Sequence, residues 1–160
     1  DGVADPKTNP YVIHAELGAE MTEACTVVKS ETRLKQCGAK IAELKERFAR
    51  VRLGDASSWT NQSLSFTRSV GDMLAIAEAI QMGSLERKES RGAHYRTDYT
   101  VRDDANFMKT TLAKWDAASK SVKIEFVTID SSLIKPKKRD YSGKEAGAGA
   151  EKKAAASPHG

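Results

Sequence analysis

Hydrophobic positions in the first half of the chain recur at helical spacing. Ile13, Leu17, Met21 and Cys25 lie four residues apart and line one face of a helix. Asn9 followed by Pro10 marks its start. Asparagine accepts a free N–H of the first turn, and proline lacks the N–H that would otherwise go unpaired there. The β-branched stretch Cys25-Thr-Val-Val28 ends this helix in an extended turn. Ser30 is the next cap. From there Leu34, Cys37, Ile41, Leu44, Phe48 and Val51 alternate steps of three and four, with Lys, Glu and Arg on the other faces. Gly54-Asp55 breaks the stripe. A third helix opens near Asn61 and is expected to bury Phe66, Val70, Met73, Ala77 and Ile80, with Gly83-Ser84 weakening or ending it. Three amphipathic segments with short connections predict a mainly α protein, an antiparallel three-helix bundle of the spectrin-repeat kind. Met21, Met73 and Met82 lie near these stripes and read as core filler.

The pattern changes after residue 84. The segment from Leu85 to Phe107 fits neither period and carries five basic and five acidic residues. Such a density of Arg and aromatic side chains suits a loop that docks on another surface, because guanidinium forks and Tyr hydroxyls form directional bonds. Asp103 and Asp104 are expected to cap a short turn at Ala105-Asn-Phe-Met108. Thr110-Thr-Leu-Ala-Lys-Trp115, turn residues from Asp116 to Ser121, and the alternating Val122-Lys-Ile-Glu-Phe-Val-Thr-Ile129 predict a β-hairpin, with Val122, Ile124 and Phe126 on one face. A lone hairpin is marginal, so this one must pack on something. From Ser142 the composition falls to Gly, Ala, Lys and Glu, and a flexible tail is expected over 143–160.

Composition narrows the classes further. The chain has 160 residues, 39% of them hydrophobic, and a net charge of +4. That excludes collagen, a disulfide scaffold and a wholly disordered chain. No apolar run approaches the ~20 residues of a membrane span. The start, Asp1-Gly-Val-Ala-Asp-Pro6, shows no secretory signal, and beginning at Asp rather than Met suggests a piece of something longer. The one dense basic run, Lys135-Pro-Lys-Lys-Arg139, reads as a solvated connector or a contact with a partner's acidic surface, and no nucleic-acid partner is expected. Cys25 and Cys37 are twelve apart and belong to no C-x-x-C pair; they read as buried free thiols. The three histidines are scattered, with no zinc-type spacing, so no metal site is expected.

No convincing catalytic set is present: there is no G-x-S-x-G elbow, no P-loop and no complete dinucleotide fingerprint. Gly147-Ala-Gly149 lacks the third glycine and the preceding crossover. His94 with Asp98 is the best acid–base pair on spacing, but it lies in an irregular segment, where a lone His among carboxylates is more often structural. No catalytic and no cofactor-binding residue is assigned.

Several motifs in this segment nevertheless resemble a known family. Glu89-Ser-Arg-Gly-Ala-His94, Tyr95-Arg-Thr-Asp98, Arg102-Asp-Asp-Ala-Asn-Phe107 and Lys109-Thr-Thr-Leu112 closely resemble the C-terminal region of the flavoprotein subunit of succinate dehydrogenase and fumarate reductase. That region reads E-S-R-G-A-H, then R-D-D-E-N-[WF] and K-H-T-L. Asn9-Pro-Tyr-Val-Ile-His-Ala-Glu-Leu17 resembles its first helix, Trp59-Thr-Asn-Gln62 the entry to its third, and Lys135-Pro-Lys-Lys-Arg-Asp-Tyr-Ser142 its closing stretch. The resemblance covers about residues 9–142. L-aspartate oxidase is a relative sharing an S-R-G-x-H segment, but the hairpin and the Lys-Arg-x-Tyr ending favour the succinate/fumarate branch. Lys109-Thr-Thr-Leu112 departs from K-H-T-L at one position.

The resemblance implies a structural and docking domain of an FAD-dependent succinate–fumarate oxidoreductase; the alternative is a stand-alone protein-interaction module, against which the retained docking loop speaks. The family's flavin-linking histidine, substrate-binding residues and proton-delivering arginine precede this region and have no counterpart here. It implies as partners the flavin-binding domain of the same subunit, the iron–sulfur subunit and the membrane anchor. It implies a peripheral place on the cytoplasmic side of a membrane, the piece itself being soluble. Arg91, His94, Tyr95, Arg96, Asp98 and Arg102 are the candidate interdomain docking residues. The expected organisation is a helical bundle with docking loop over 9–108, hairpin and basic closing segment over 109–142, and the tail. A domain of this kind without its partner would expose its docking face and form a weak homodimer.

Overall fold

The computed structural model describes residues 6–54, 57, 59–134 and 136–137. The tail, and Lys135, Lys138 and Arg139 of the basic run, lie outside the described residues, as does Asp55 of the Gly54-Asp55 break. The chain divides into two units, Asp1–Ile129 and Asp130–Gly160. In the second, Asp130 Oδ1 accepts the Ser132 N–H at 2.9 Å, and Leu133 and Ile134 are exposed.

The first unit is mainly helical with two small sheets. Helix α1 spans Pro10–Cys25, α2 Glu31–Phe48 and α3 Gln62–Glu86. All three start where cap chemistry places them. Asn9 accepts from Tyr11 N–H, Ser30 from Arg33 N–H and Asn61 from Leu64 N–H. The helices pack on one another around Ile13, Leu17, Cys37, Ile41, Val70 and Leu74. Ion pairs seal the α1–α2 seam: Arg47 grips both oxygens of Glu16 at 2.7 Å, and Arg33 grips Glu20 at 2.6 and 2.9 Å. The Arg47 contact, with Lys40 behind it, lowers the Glu16 carboxyl to about 2.

Helix α3 departs from the predicted register. It buries Val70, Leu74, Ala77 and Gln81, whereas Met73 and Ile80 are exposed and Phe66 is half-buried, stacked on Tyr11 at 4.3 Å. The stretch from Met73 to Ile80 is apolar on two adjacent faces, so spacing alone admits either one. Contact with α2 chooses between them: Gln81 donates to Leu34 O at 2.8 Å in the interior. Met73 is therefore surface rather than core filler. Nor does the helix end at Gly83-Ser84. It runs to Glu86, with Gly83 lying against β3: a Cβ there would stand 3.5 Å from the Thr111 methyl.

The segment after α3 is more ordered than its lack of periodicity suggests. Strand β1, Val28–Lys29, pairs in parallel with β2, Tyr95–Arg96. Arg91 and His94 exchange backbone hydrogen bonds at 2.8 and 3.0 Å around Gly92, whose φ of +58° suits glycine. Asp103 caps the short helix α4, Asp104–Phe107, as its position predicts. Strands β3, Lys109–Asp116, and β4, Ser121–Thr128, form the predicted antiparallel hairpin, and its Val122, Ile124 and Phe126 face packs on α3. No helix among the described residues is long and apolar enough to cross a membrane.

Candidate functional site

Of the six candidate docking residues, Arg96 and Asp98 form a clasp that joins the loop to two helix ends. Arg96 has no exposed surface. Its Nε and Nη2 hold the two oxygens of Asp98 at 2.8 and 2.7 Å, and its Nη1 donates to Ser84 O and Leu85 O at 2.8 and 3.1 Å. Those carbonyls belong to the last turn of α3, where no intrahelical donor remains. Asp98 Oδ2 in turn accepts the N–H of Glu31, in the first turn of α2, at 2.9 Å. A cation thus sits at a helix C-terminus and an anion at a helix N-terminus, the favourable sign at both ends. The Arg96 hydrogen bonds, with that of Glu31 N–H, hold the Asp98 carboxyl down at about 2. Tyr99 stacks beneath the Arg96 guanidinium at 5.1 Å.

A second cluster centres on Glu89, also without exposed surface. It accepts from Arg87 at 2.6 Å, from Arg91 at 2.8 and 3.0 Å, and from Asp103 N–H at 2.8 Å. Burial pushes this carboxyl up, but the bonds from Arg91, Asp103 N–H and Arg87 outweigh burial, and the net direction is down. Arg91 also reaches Asp104 at 2.7 Å, which Arg102 holds from the other side at 2.6 Å. Arg87 lies over the Phe107 and Phe126 rings and donates to Phe107 O and Lys109 O, so it locks the hairpin to the loop.

His94 and Asp98 do not meet as an acid–base pair. His94 Nε2 bonds Arg87 O at 3.0 Å, and burial lowers its pKa from the ordinary 6.5, favouring the neutral ring. Of the six residues, Tyr95 and Asp98 are exposed, Arg91, His94 and Arg102 are partly so, and Arg96 is wholly inside. Glu89 and Arg87 share this architecture; Glu89 opens the E-S-R-G-A-H motif, whereas only the density of charge in the segment hinted at Arg87. Among the described residues, no group of three or more His, Cys, Asp and Glu side chains is placed to hold a metal ion.

Beside the clasp lies an exposed apolar face. Along α3, Met73, Ile76 and Ile80 point outward, with Ile76 59% exposed. Shallow grooves meet at Ile76. One runs toward His14, Gly18 and Met21 of α1, one toward Ala113 and Trp115 of β3, and one toward Ser84 and His94. Trp115, half out of the surface, receives Lys45 Nζ over its ring at 5.6 Å. Apolar surface gathered over several elements, rimmed by ordered polar groups, is the usual form of a binding face. The heptad reading of α3 hid it by placing Met73 and Ile80 in the core.

A family model described as the fumarate reductase flavoprotein C-terminus matches residues 14–141. The succinate dehydrogenase flavoprotein subunit of Bacillus subtilis is 44% identical over 141 residues, which cover 88% of this chain and 24% of that protein. The fumarate reductase flavoprotein subunit of Haemophilus influenzae is 40% identical over 129 residues, 81% of this chain and 21% of that protein. A solved structure of Escherichia coli quinol fumarate reductase superposes with a TM-score of 0.78 at 39% identity, covering 81% of this chain and 22% of that one. The chain therefore spans less than a quarter of the length of these relatives.

Proposed function

The chain belongs to the family of fumarate reductase flavoprotein C-terminal domains, and on that premise we propose that it braces a flavin-bearing body lying elsewhere in the subunit. The observation that carries this reading is the apolar face of α3 around Ile76, flanked by Trp115 and the clasp. In this reading the helices form an antiparallel three-helix bundle of the spectrin-repeat kind. The bundle and clasp are a rigid frame that presents the face and the loop to the flavin-binding domain. Tyr95, Arg91, His94 and Arg102 offer directional polar contacts, while Arg96 and Asp98 hold the loop in shape.

FAD and the dicarboxylate belong to that other domain. The loop's donors do not suit a flavin diphosphate, since Arg87, Arg91 and Arg96 already bind carboxylate or carbonyl oxygens of this chain. The reaction served is succinate–fumarate oxidoreduction, in a complex with an iron–sulfur subunit and a membrane anchor, on the cytoplasmic side. The domains are the bundle with its loop over 9–108, the hairpin and closing segment over 109–142, and the tail.

The test is co-expression of this chain with the flavin-bearing remainder of the subunit. Ile76→Glu should abolish co-purification, while Glu23→Gln on an exposed surface of α1 should not. Equal recovery of all three versions would refute the docking face. Without its partner the chain should sediment as a weak dimer at high concentration, and Ile76→Glu should return it to a monomer.

A further inference from the structure

Two sulfur atoms outside the docking region meet at the seam between α1 and α2. Cys25 is the last residue of α1, and Cys37 lies in the second turn of α2. Their Sγ atoms are 4.0 Å apart, and both cysteines are free thiols. The Met21 thioether stands 4.0 Å from Cys37 Sγ and closes the pocket behind it. Access is unequal: Cys37 is fully buried, whereas Cys25 is half-buried. Lys29 folds over the turn at Thr26–Val27, bonding Thr26 O and Val27 O.

We propose that Cys25 and Cys37 are a peroxide-sensitive thiol pair that closes into an intramolecular disulfide stapling α1 to α2. Cys25 is the attacking sulfur. It is the sulfur that an oxidant can reach, and the neighbouring Cys37 thiol and the charge of Lys29 favour its thiolate against the opposing effect of burial. The contact with Cys25, together with burial, pushes the Cys37 thiol up, so it stays protonated and waits. One sulfur is thus reachable and activated, and the other is held in reserve at contact distance.

The chemistry balances with hydrogen peroxide as oxidant. The Cys25 thiolate attacks one peroxide oxygen, an S–O bond forms and the O–O bond breaks. The departing hydroxide takes up a proton as water, leaving a sulfenic acid on Cys25. Cys37 sulfur then attacks Cys25 sulfur, its proton passing to the leaving hydroxyl. The S–S bond forms, the S–O bond breaks and a second water departs. Two thiols have lost two electrons and the peroxide has become two waters. The sulfurs must close from 4.0 Å to the ~2.05 Å of a disulfide. Met21 is unbranched and adapts to the space released.

The experiment exposes the full 160-residue chain to hydrogen peroxide, in native buffer and in urea, quenches with an alkylating reagent and reads intact mass and non-reduced peptide maps. The expected result is loss of two hydrogens and a crosslinked Cys25–Cys37 peptide pair. It should form about tenfold faster in native buffer than in urea, because the fold pre-positions the sulfurs. Cys37→Ser should instead trap a sulfenic acid on Cys25 that reacts with dimedone. Cys25→Ser should leave Cys37 unoxidised at the same dose. The proposal is overturned by crosslinking no faster in native buffer than in urea, by disulfides only between chains, or by Cys25 passing to sulfinic acid while Cys37 stays reduced. None of these outcomes depends on the bracing role or on the α3 face.

Discussion

Arg96→Met removes the cationic fork from the clasp while keeping a flexible apolar stem. Ser84 O and Leu85 O, both part-buried, then lose their partner, and each orphan acceptor costs about 1 kcal/mol, the lower end of the range for a buried group. Asp98 loses its bidentate bond, but its side chain is 29% exposed and keeps the Glu31 N–H. Solvent screens that loss to roughly 1 kcal/mol. Contact with the Tyr99 ring adds about 0.5–1 kcal/mol. The expected total is about 4 kcal/mol, within the ~3–5 kcal/mol typical of breaking a buried ion pair from one side. Against a net stability of about 5–15 kcal/mol this is a large fraction. Urea unfolding followed by far-UV circular dichroism reads it directly. With a slope near 2 kcal/mol/M the midpoint should fall by about 2 M. Asp98→Asn should cost less, and the double variant should fall short of additivity by about 1 kcal/mol or more, since the two share one interaction. A midpoint loss equivalent to under about 1 kcal/mol, or strict additivity, would refute the clasp as a determinant of stability.

Other consequences are smaller. Arg91→Ala should cost no more than about 1 kcal/mol in the same unfolding assay, because Glu89 keeps Arg87 and the Asp103 N–H and the lost side chain is partly solvated. The neutral, half-buried His94 should make stability pH-dependent: complete above 6.5, the unfolded value, and decreasing below it until the folded, lower pKa is passed. His94→Asn should flatten that slope in midpoints measured from pH 7.5 to 5. The depressed Asp98 carboxyl acts in a lower window, its stabilisation fading as pH falls from 3.8 to about 2, and Asp98→Asn should remove it. Gly38→Ala should destabilise by about 1 kcal/mol despite the ~1 kcal/mol helix-propensity gain, since the new Cβ would stand 3.0 Å from Gln81 Nε2 and disturb its buried bond to Leu34 O.

Features with local causes were legible in the sequence. Asn9, Ser30, Asn61 and Asp103 cap because each side chain reaches an N–H two or three residues away, a contact that needs no tertiary information. The hairpin was legible for the same reason. The register of α3 was not, because its apolar residues cover two faces and only Gln81 against Leu34 selects one. The loop showed its density of charge but not its division of labour. That Arg96 would end α3, and that Arg87 would lie over the Phe107 and Phe126 rings, depends on elements far apart in the chain. The two cysteines read as core thiols; their approach to 4.0 Å follows from how α1 and α2 fold back across the β1 turn.

The bond between Asp98 and Glu31 joins residues 67 positions apart. Drawing together the ends of so long a stretch carries a closure entropy of about 4 kcal/mol, growing only as the logarithm of its length. The clasp is therefore expected to form late, after α2 and α3 have shortened the effective span by packing on each other. An element that closes last is absent from the folding nucleus, so the clasp acts as a latch: it governs how slowly the native state opens rather than how fast it is reached.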